Sequence, residues 1–143
     1  MLTCSKTYSD VPLGHRQPHH HGHCACIHGH NWEIKVTFQA ADLDEHGFVV
    51  DFGELHYLKD WIDEHLDHAC AFSSTDPQRQ KIEELVGLGL IKPLWIENVS
   101  CEGFAKYLFE TFDPMVRENT GGRVQVVSIE LFEDSRNSVL YHP

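Results

Sequence analysis

The sequence predicts an α+β domain in which helices cover one face of an antiparallel sheet. In residues 31–40 every even position is apolar and every odd one is polar, the period-two pattern of a half-buried strand. Apolar residues in 55–66 and 104–116 recur instead at helical spacing. The expected order is strand, strand, helix, insertion, helix, strand, with a further short strand at 138–141.

Two strands are expected near the amino terminus, separated by a loop. The first lies around Leu2–Tyr8, and the second runs from about Ile27 to Ala40. Between them, residues 11–23 are rich in proline and histidine, a composition typical of a loop. The charged stretch 42–47 ends in glycine and is expected to form the turn after the second strand.

The first helix is expected between an acidic cap and an acid–imidazole pair. Asp51 is followed three residues later by Glu54, a helix-start pattern in which Asp51 is the N-cap. Leucine and isoleucine then recur at helical spacing, so Asp67 and His68 are expected to close the helix.

The second half of the chain contains an insertion, a long helix and a strand. An Asp-Pro pair begins a short helix within an added segment at about 73–97. Asn98 or Ser100 can cap the long helix. In the next strand, the odd positions of 127–131 are apolar, and the same parity puts Glu133 on the buried face.

Size and charge indicate one domain, residues 1–143, and exclude several functions. The chain has 11 basic and 22 acidic residues and a net charge of -11, which argues against a nucleic-acid-binding protein. It has no apolar run long enough for a membrane span and no secretion signal, so we expect a cytoplasmic protein. Five cysteines, an odd number, favour reduced thiols over a disulfide framework.

Residues 15–30 hold seven of the twelve histidines and two of the five cysteines. Extending the strand parity backwards places His28 and His30 on the face of Trp32, so both imidazoles should point inward. A His-x-His pair presents two nitrogens to one metal ion, and His15 is the candidate third ligand. Three neutral imidazoles leave the fourth position of zinc (Zn²⁺) open, which is typical of a catalytic site.

Other residues of this region have several interpretations. Cys24 lies four residues before His28, where a nearby cation would favour a thiolate that acts as base or nucleophile. It could equally be a small buried hydrophobe, and Cys26 could be a fourth zinc ligand. Arg16 offers positive charge to an anionic substrate. The histidines at 19–23 are interpreted as loop residues.

Two further sites carry acids. The dipeptide Asp67-His68 is a candidate acid/base pair, because a carboxylate can orient an imidazole. The alternative interpretation is an exposed helix end without a catalytic role. Glu133 is either a paired core acid or a carboxylate that accepts two N–H groups from the guanidine-like edge of a heterocycle such as a pterin.

Five motifs stand in the order of a known family. They are His15-Arg16, Cys24-x-x-x-His28-Gly29-His30, Gly47-Phe48-Val49-Val50-Asp51-Phe52, Leu66-Asp67-His68 and Glu133. Over about residues 5–135 the chain therefore resembles the 6-pyruvoyltetrahydropterin synthase and 6-carboxytetrahydropterin synthase family. The three-residue gap between Cys24 and His28 is more similar to the bacterial carboxytetrahydropterin synthases of the queuosine pathway.

The resemblance implies a tunnelling fold, in which the sheets of several subunits join into a barrel, commonly a hexamer of two trimers with active sites at subunit interfaces. It implies zinc on the three histidines, proton transfer by Cys24, Asp67 and His68, and a pterin anchor at Glu133. Ser100 retains a hydroxyl where the family often has Asn-Pro-Thr, and is expected to contact substrate.

The implied substrate is 7,8-dihydroneopterin triphosphate, and the implied products are 6-carboxy-5,6,7,8-tetrahydropterin, acetaldehyde and triphosphate. Two other enzyme activities stay open at this stage: the pyruvoyl branch of the family and cleavage of the dihydroneopterin side chain by an aldolase. A different class is a non-enzymatic module whose clustered histidines buffer zinc or nickel.

Overall fold

Six strands form one sheet in the computed structural model, which describes residues 1–143. The strands and helices, in chain order, are β1 (Leu2–His15), β2 (His28–Ala40), α1 (His56–His65), β3 (Ala69–Ser73), α2 (Arg79–Gly87), β4 (Pro93–Ile96), α3 (Cys101–Asn119), β5 (Val124–Phe132) and β6 (Ser138–Tyr141).

The sheet order is β4-β3-β1-β2-β5-β6. Neighbours from β1 through β2 and β5 to β6 are antiparallel, whereas β3 and β4 join the other edge in parallel. The α+β class is confirmed, and the sheet is mixed rather than antiparallel throughout. Helix α2 provides the crossover between the parallel strands β3 and β4, whereas the parallel strands β1 and β3 are connected through β2 and α1.

Strand β1 is longer than the sequence predicts. Residues 11–15 continue the strand instead of starting the loop, because they pair with β2 as far as His15 opposite His28. A bulge separates the two parts: the register shifts between Tyr8 and Val11, and Asp10 has a positive φ of 56°. The extra length is what brings His15 beside β2.

Strand β5 contains a bulge that the sequence did not predict, so Val127 does not share the buried face of Ile129 and Leu131. Val126 pairs with Phe38 and Ser128 with Thr37, so Val127 is the additional residue of a bulge and is only half-buried. Because the bulge shifts the alternation, the buried face changes from even to odd positions along the strand. Glu133 follows β5 and keeps 27% of its side chain exposed.

Helix ends differ from the prediction by a few residues. Asp51 caps a short turn at Phe52–Glu54, accepting a 2.8 Å hydrogen bond from the Gly53 amide, and α1 follows that turn. Helix α1 ends at His65, so Asp67 and His68 lie beyond it. Ser100 caps α3 as expected, since its hydroxyl accepts from the Gly103 amide at 3.1 Å.

Both long helices cover the same face of the sheet. Trp32 of β2 stacks on Phe104 of α3 with ring centres 5.7 Å apart, and Trp61 of α1 meets Phe112 of α3 edge-on at 5.4 Å. Trp32, Phe104 and Phe112 belong to one continuous core of 28 buried residues, and the half-buried Trp61 packs against that core. No helix combines the length and apolar character needed to cross a bilayer.

Candidate metal centre and active-site cleft

Three imidazoles meet where β1 and β2 run side by side. The ring centres of His15, His28 and His30 are 4.6 to 5.2 Å apart, and one nitrogen of each ring lies within 4.8 Å of the others. His15 is fully buried and the other two are half-buried. The structure thus brings together the three histidines of the predicted triad, and the group can hold a metal ion.

Backbone carbonyls fix the tautomers of two of these rings. The Nδ1 of His15 lies 2.9 Å from the Val99 carbonyl, and the Nδ1 of His28 lies 2.7 Å from the Cys26 carbonyl. Because a carbonyl oxygen can only accept, each Nδ1 carries the proton and each Nε2 keeps its lone pair. Burial lowers the pKa of His15, which favours the neutral ring that a metal requires.

Two imidazole nitrogens of the triad lack hydrogen-bond partners, which makes the site suitable for a cation. The Nε2 atoms of His15 and His30 are buried and have no hydrogen-bond partner. Glu133 Oε1 approaches them at 3.4 and 3.2 Å, but neither contact has hydrogen-bond geometry. A buried nitrogen without a partner is costly, and coordination to a metal would satisfy both.

A cleft of about 460 Å³ opens beside the triad. It is lined by four predicted site residues, His15, Cys24, Ser100 and Glu133. It therefore places a thiol, a hydroxyl and a carboxylate next to the metal-binding group. The other lining residues were not assigned to the site from the sequence, and they include Gln17, His20, Cys101 and Glu102.

Two neighbours hold the loop that carries Cys24. The Gln17 amide donates to the Cys24 carbonyl at 2.6 Å, and the Arg16 guanidinium donates to the Ala25 carbonyl at 3.1 Å. Gln17 also donates through its side chain to the Val99 carbonyl at 3.1 Å. The loop is thereby joined to the same carbonyl that orients His15.

Arg16 does not line the cleft. Its Nε and Nη2 donate to the two carboxylate oxygens of Asp76 at 2.7 and 3.0 Å, and the Asp76 side chain is completely buried. The charge that was expected to attract substrate is therefore compensated inside the chain. Asp76, expected from the sequence to start a helix, accepts from the Gln78 amide just before α2 and also connects segment 73–97 to the cysteine loop through Arg16.

Asp67 and His68 form the predicted pair but do not line the cleft that contains Cys24. Asp67 Oδ1 lies 2.5 Å from His68 Nδ1, and 83% of the His68 side chain is exposed. His68 adopts a left-handed φ of 60°, held by a 2.8 Å hydrogen bond from its amide to the Pro12 carbonyl. Such backbone strain is commonly found at functional positions.

Cys101 is the missed residue with the most distinctive environment. Burial, followed by the charge of Glu133, raises the pKa of its thiol to about 12. A neutral thiol is therefore expected there. The only signal in the sequence was its place directly after the helix cap Ser100; Gln17 and His20 carried no signal beyond their place in a loop.

Comparisons with known proteins show which family this sequence resembles. The sequence model of the family described as 6-pyruvoyl tetrahydropterin synthase matches residues 4–143. A 6-carboxy-5,6,7,8-tetrahydropterin synthase of Rickettsia bellii is 33% identical over 136 residues, covering 93% of this chain and 94% of that protein. One of Aquifex aeolicus is 25% identical over 121 residues, or 82% of this chain and 75% of that protein.

Solved structures share the fold. An uncharacterised protein of Wolinella succinogenes superposes with a TM-score of 0.81 at 22% identity, covering 99% of this chain and 97% of that one. The 6-pyruvoyl tetrahydropterin synthase of Caenorhabditis elegans gives 0.69 at 18% identity, with 99% and 95% covered. Because the family model spans almost the whole sequence, this chain belongs to the 6-pyruvoyl tetrahydropterin synthase family.

Proposed function

We propose that this protein is a zinc-dependent lyase that converts 7,8-dihydroneopterin triphosphate and water to 6-carboxy-5,6,7,8-tetrahydropterin, acetaldehyde and triphosphate. The observation that carries the proposal is the triad with two unpartnered Nε2 atoms beside a cleft that holds a thiol and a carboxylate. The relatives named 6-carboxy-5,6,7,8-tetrahydropterin synthase support the choice of product.

The metal that best suits the triad is zinc. Three neutral imidazoles leave one coordination position for another group, as in catalytic zinc sites. Zinc held by His15, His28 and His30 would supply Lewis acidity that polarises the side-chain hydroxyls of the substrate. Queuosine biosynthesis and a cytoplasmic location stay predictions, the second supported by five unpaired cysteines.

The chain's own groups supply binding and proton transfer. Glu133 can accept two N–H groups from the pterin ring, and Ser100 offers a hydroxyl in the same cleft. Cys24 lines that cleft too, so a pterin anchored at Glu133 can present its side chain to the sulfur. Cys24 then removes a proton as a general base.

The second proton-transfer group is expected from another copy of the chain. His68 is largely exposed, oriented by Asp67, and not part of the cleft that contains Cys24. In an oligomer, proposed as a hexamer of two trimers, the exposed pair of one subunit would face the cleft of its neighbour. Each active site would then need two subunits.

Product analysis tests the proposal directly. Zinc-loaded protein is mixed with 7,8-dihydroneopterin triphosphate, and the products are separated and identified by mass spectrometry. We expect equal amounts of 6-carboxytetrahydropterin and acetaldehyde. A pyruvoyl product or glycolaldehyde would assign one of the other two pterin activities, and an inactive zinc-loaded protein would contradict the substrate.

Metal content separates the enzyme from a metal-buffering module. Only three of the seven clustered histidines gather around one point; His19, His21 and His23 are exposed and belong to no such group. Elemental analysis should therefore find about one tightly held zinc per chain. Several ions per chain would instead favour the buffering module.

A further inference from the structure

Glu133 lies unusually close to the metal-binding nitrogens. Its Oε1 is 3.4 Å from His15 Nε2 and 3.2 Å from His30 Nε2. Both nitrogens are buried and lack a hydrogen-bond partner, so these contacts are not hydrogen bonds. The carboxylate is nevertheless directed at the same point as two of the three imidazoles.

Two acceptors face each other in the contact with His15. The proton of that ring is on Nδ1, which donates to the Val99 carbonyl, so Nε2 presents a lone pair. A carboxylate oxygen also presents lone pairs. Two such atoms repel each other in a buried site unless a cation lies between them.

The distances match those between ligands of one zinc ion. Nitrogen and oxygen ligands lie roughly 2.0–2.2 Å from zinc, so neighbouring ligand atoms of a tetrahedron are about 3.3–3.6 Å apart. The two separations of 3.4 and 3.2 Å are close to that value. The carboxylate thus stands where a fourth ligand would be.

We propose that Glu133 Oε1 is the fourth metal ligand in the substrate-free protein and that it leaves the metal when the pterin binds. The second half rests on the proposed function, because there Glu133 accepts the pterin N–H groups. Only the side chain has to turn, since the Glu133 amide is held by the Asn137 carbonyl at 3.0 Å. In the substrate-free protein, the Glu133 carboxylate therefore occupies the coordination position that the three histidines leave open.

Metal affinity and the cobalt spectrum test the ligand without using turnover. Glu133→Gln and Glu133→Ala are compared with Glu102→Gln, a matched control that removes one charge from the same cleft and contacts no imidazole nitrogen. We expect both Glu133 variants to weaken zinc binding in chelator competition by roughly tenfold to a hundredfold. The visible bands of the cobalt-substituted protein should change in both variants and stay unchanged in the control.

Two results would overturn the ligand assignment. One is zinc affinity and a cobalt spectrum equal to the wild type in both Glu133 variants, with folding verified by circular dichroism. The other is a near-ultraviolet thiolate-to-cobalt band in the wild type that disappears in Cys24→Ser, because the fourth ligand would then be the sulfur.

Failure of the proposed function has a different signature. Turnover of 7,8-dihydroneopterin triphosphate is measured on the same wild-type preparation. An inactive wild type with the expected loss of affinity in the variants overturns the proposed substrate and keeps Glu133 as a ligand. If the wild type is active, adding the pterin should change its cobalt spectrum; an unchanged spectrum overturns the ligand exchange.

Discussion

At the scale of single residues, the cysteines differ enough in environment to predict their reactivity. Burial raises the pKa of Cys70 to about 11 and, with the charge of Glu133, that of Cys101 to about 12, whereas Cys26 is exposed. At about pH 8, roughly one Cys70 thiol in a thousand is ionised, and thiolate is the reactive form.

We therefore expect iodoacetamide to modify Cys26 long before Cys70 and Cys101, with modification of these two half-buried thiols accelerating as the pH rises. Peptide mass spectrometry of timed samples measures the order. The free cysteines within one chain serve as mutual controls. Modification of Cys101 as rapid as that of Cys26 would show that its thiol is neither shielded nor neutral.

Removing one partner of the ion pair between Arg16 and Asp76 is expected to lower the free energy of unfolding substantially. Asp76→Ala leaves the Arg16 guanidinium, which is only 17% exposed, without its carboxylate. Breaking a buried pair from one side costs about 3 kcal/mol or more in free energy of unfolding. Urea denaturation measures it, and Asp60→Ala, an exposed acid on α1, is the control, expected within about 0.5 kcal/mol of the wild type. Equal stability of the two variants would refute the argument.

At the scale of elements, the start of α3 depends on Gly103. A Cβ at this position would overlap the side chain and carbonyl of Asn98, so Gly103→Ala must displace the segment 98–100. That segment contains the Val99 carbonyl that orients His15. We expect Gly103→Ala to lower the free energy of unfolding by roughly 1–3 kcal/mol, the usual cost of overpacking, and to weaken metal binding.

Gly87→Ala is the matched control for that prediction. It also replaces a helical glycine, in α2, but a Cβ there meets nothing within 4 Å. Helix propensity alone then favours alanine by up to about 1 kcal/mol. Thermal or urea unfolding and chelator competition measure both variants. A Gly103→Ala protein that gains stability as Gly87→Ala does would contradict the steric argument.

Local patterns predicted some elements better than others. The period of two in β2 depends on side chains within the strand, so it was visible and correctly placed His28 and His30. The bulge at Val127 depends on pairing with β2, and the extension of β1 through Pro12 depends on the same partner. Neither could be predicted from the segment alone, because a single sequence does not show which strands pair.

The same difference applies to the site. The triad was predictable because two of its members lie on one strand with fixed parity. The dipeptide Asp67-His68 was equally visible as a pair of neighbours. The pairing of Arg16 with Asp76 was not predictable, because the two residues lie 60 positions apart and a charge without a visible partner appears free in a sequence.

At the scale of the whole molecule, the segment 73–97 supports both parts of the site. Asp76 binds Arg16, which holds the loop of Cys24, and Lys92 donates to the Asp67 carbonyl at 3.0 Å. This segment therefore braces the cysteine on one side and the Asp67-His68 pair on the other. Its β4 is an edge strand of the sheet, as β6 is at the opposite end, so both edges have backbone groups free to pair with further strands.

If Cys24 of one subunit works with His68 of another, two inactive variants should complement each other. Cys24→Ala and His68→Ala are mixed in equal amounts, and their subunits are exchanged by unfolding and refolding together. Random assembly then gives intact pairs in about a quarter of the sites, because each partner is intact half of the time. Turnover of 7,8-dihydroneopterin triphosphate should recover to that fraction, while each variant refolded alone stays inactive.

The double variant mixed with wild type provides the decisive control. If each site is shared between subunits, an equal mixture of wild type and Cys24→Ala/His68→Ala has about a quarter of its sites intact after exchange, whereas sites contained within one chain would keep about half. The single-chain arrangement, in which Asp67 and His68 do not line the cleft of Cys24, favours the lower value. Half activity in this mixture, together with no recovery in the first, would place the whole active site within one subunit.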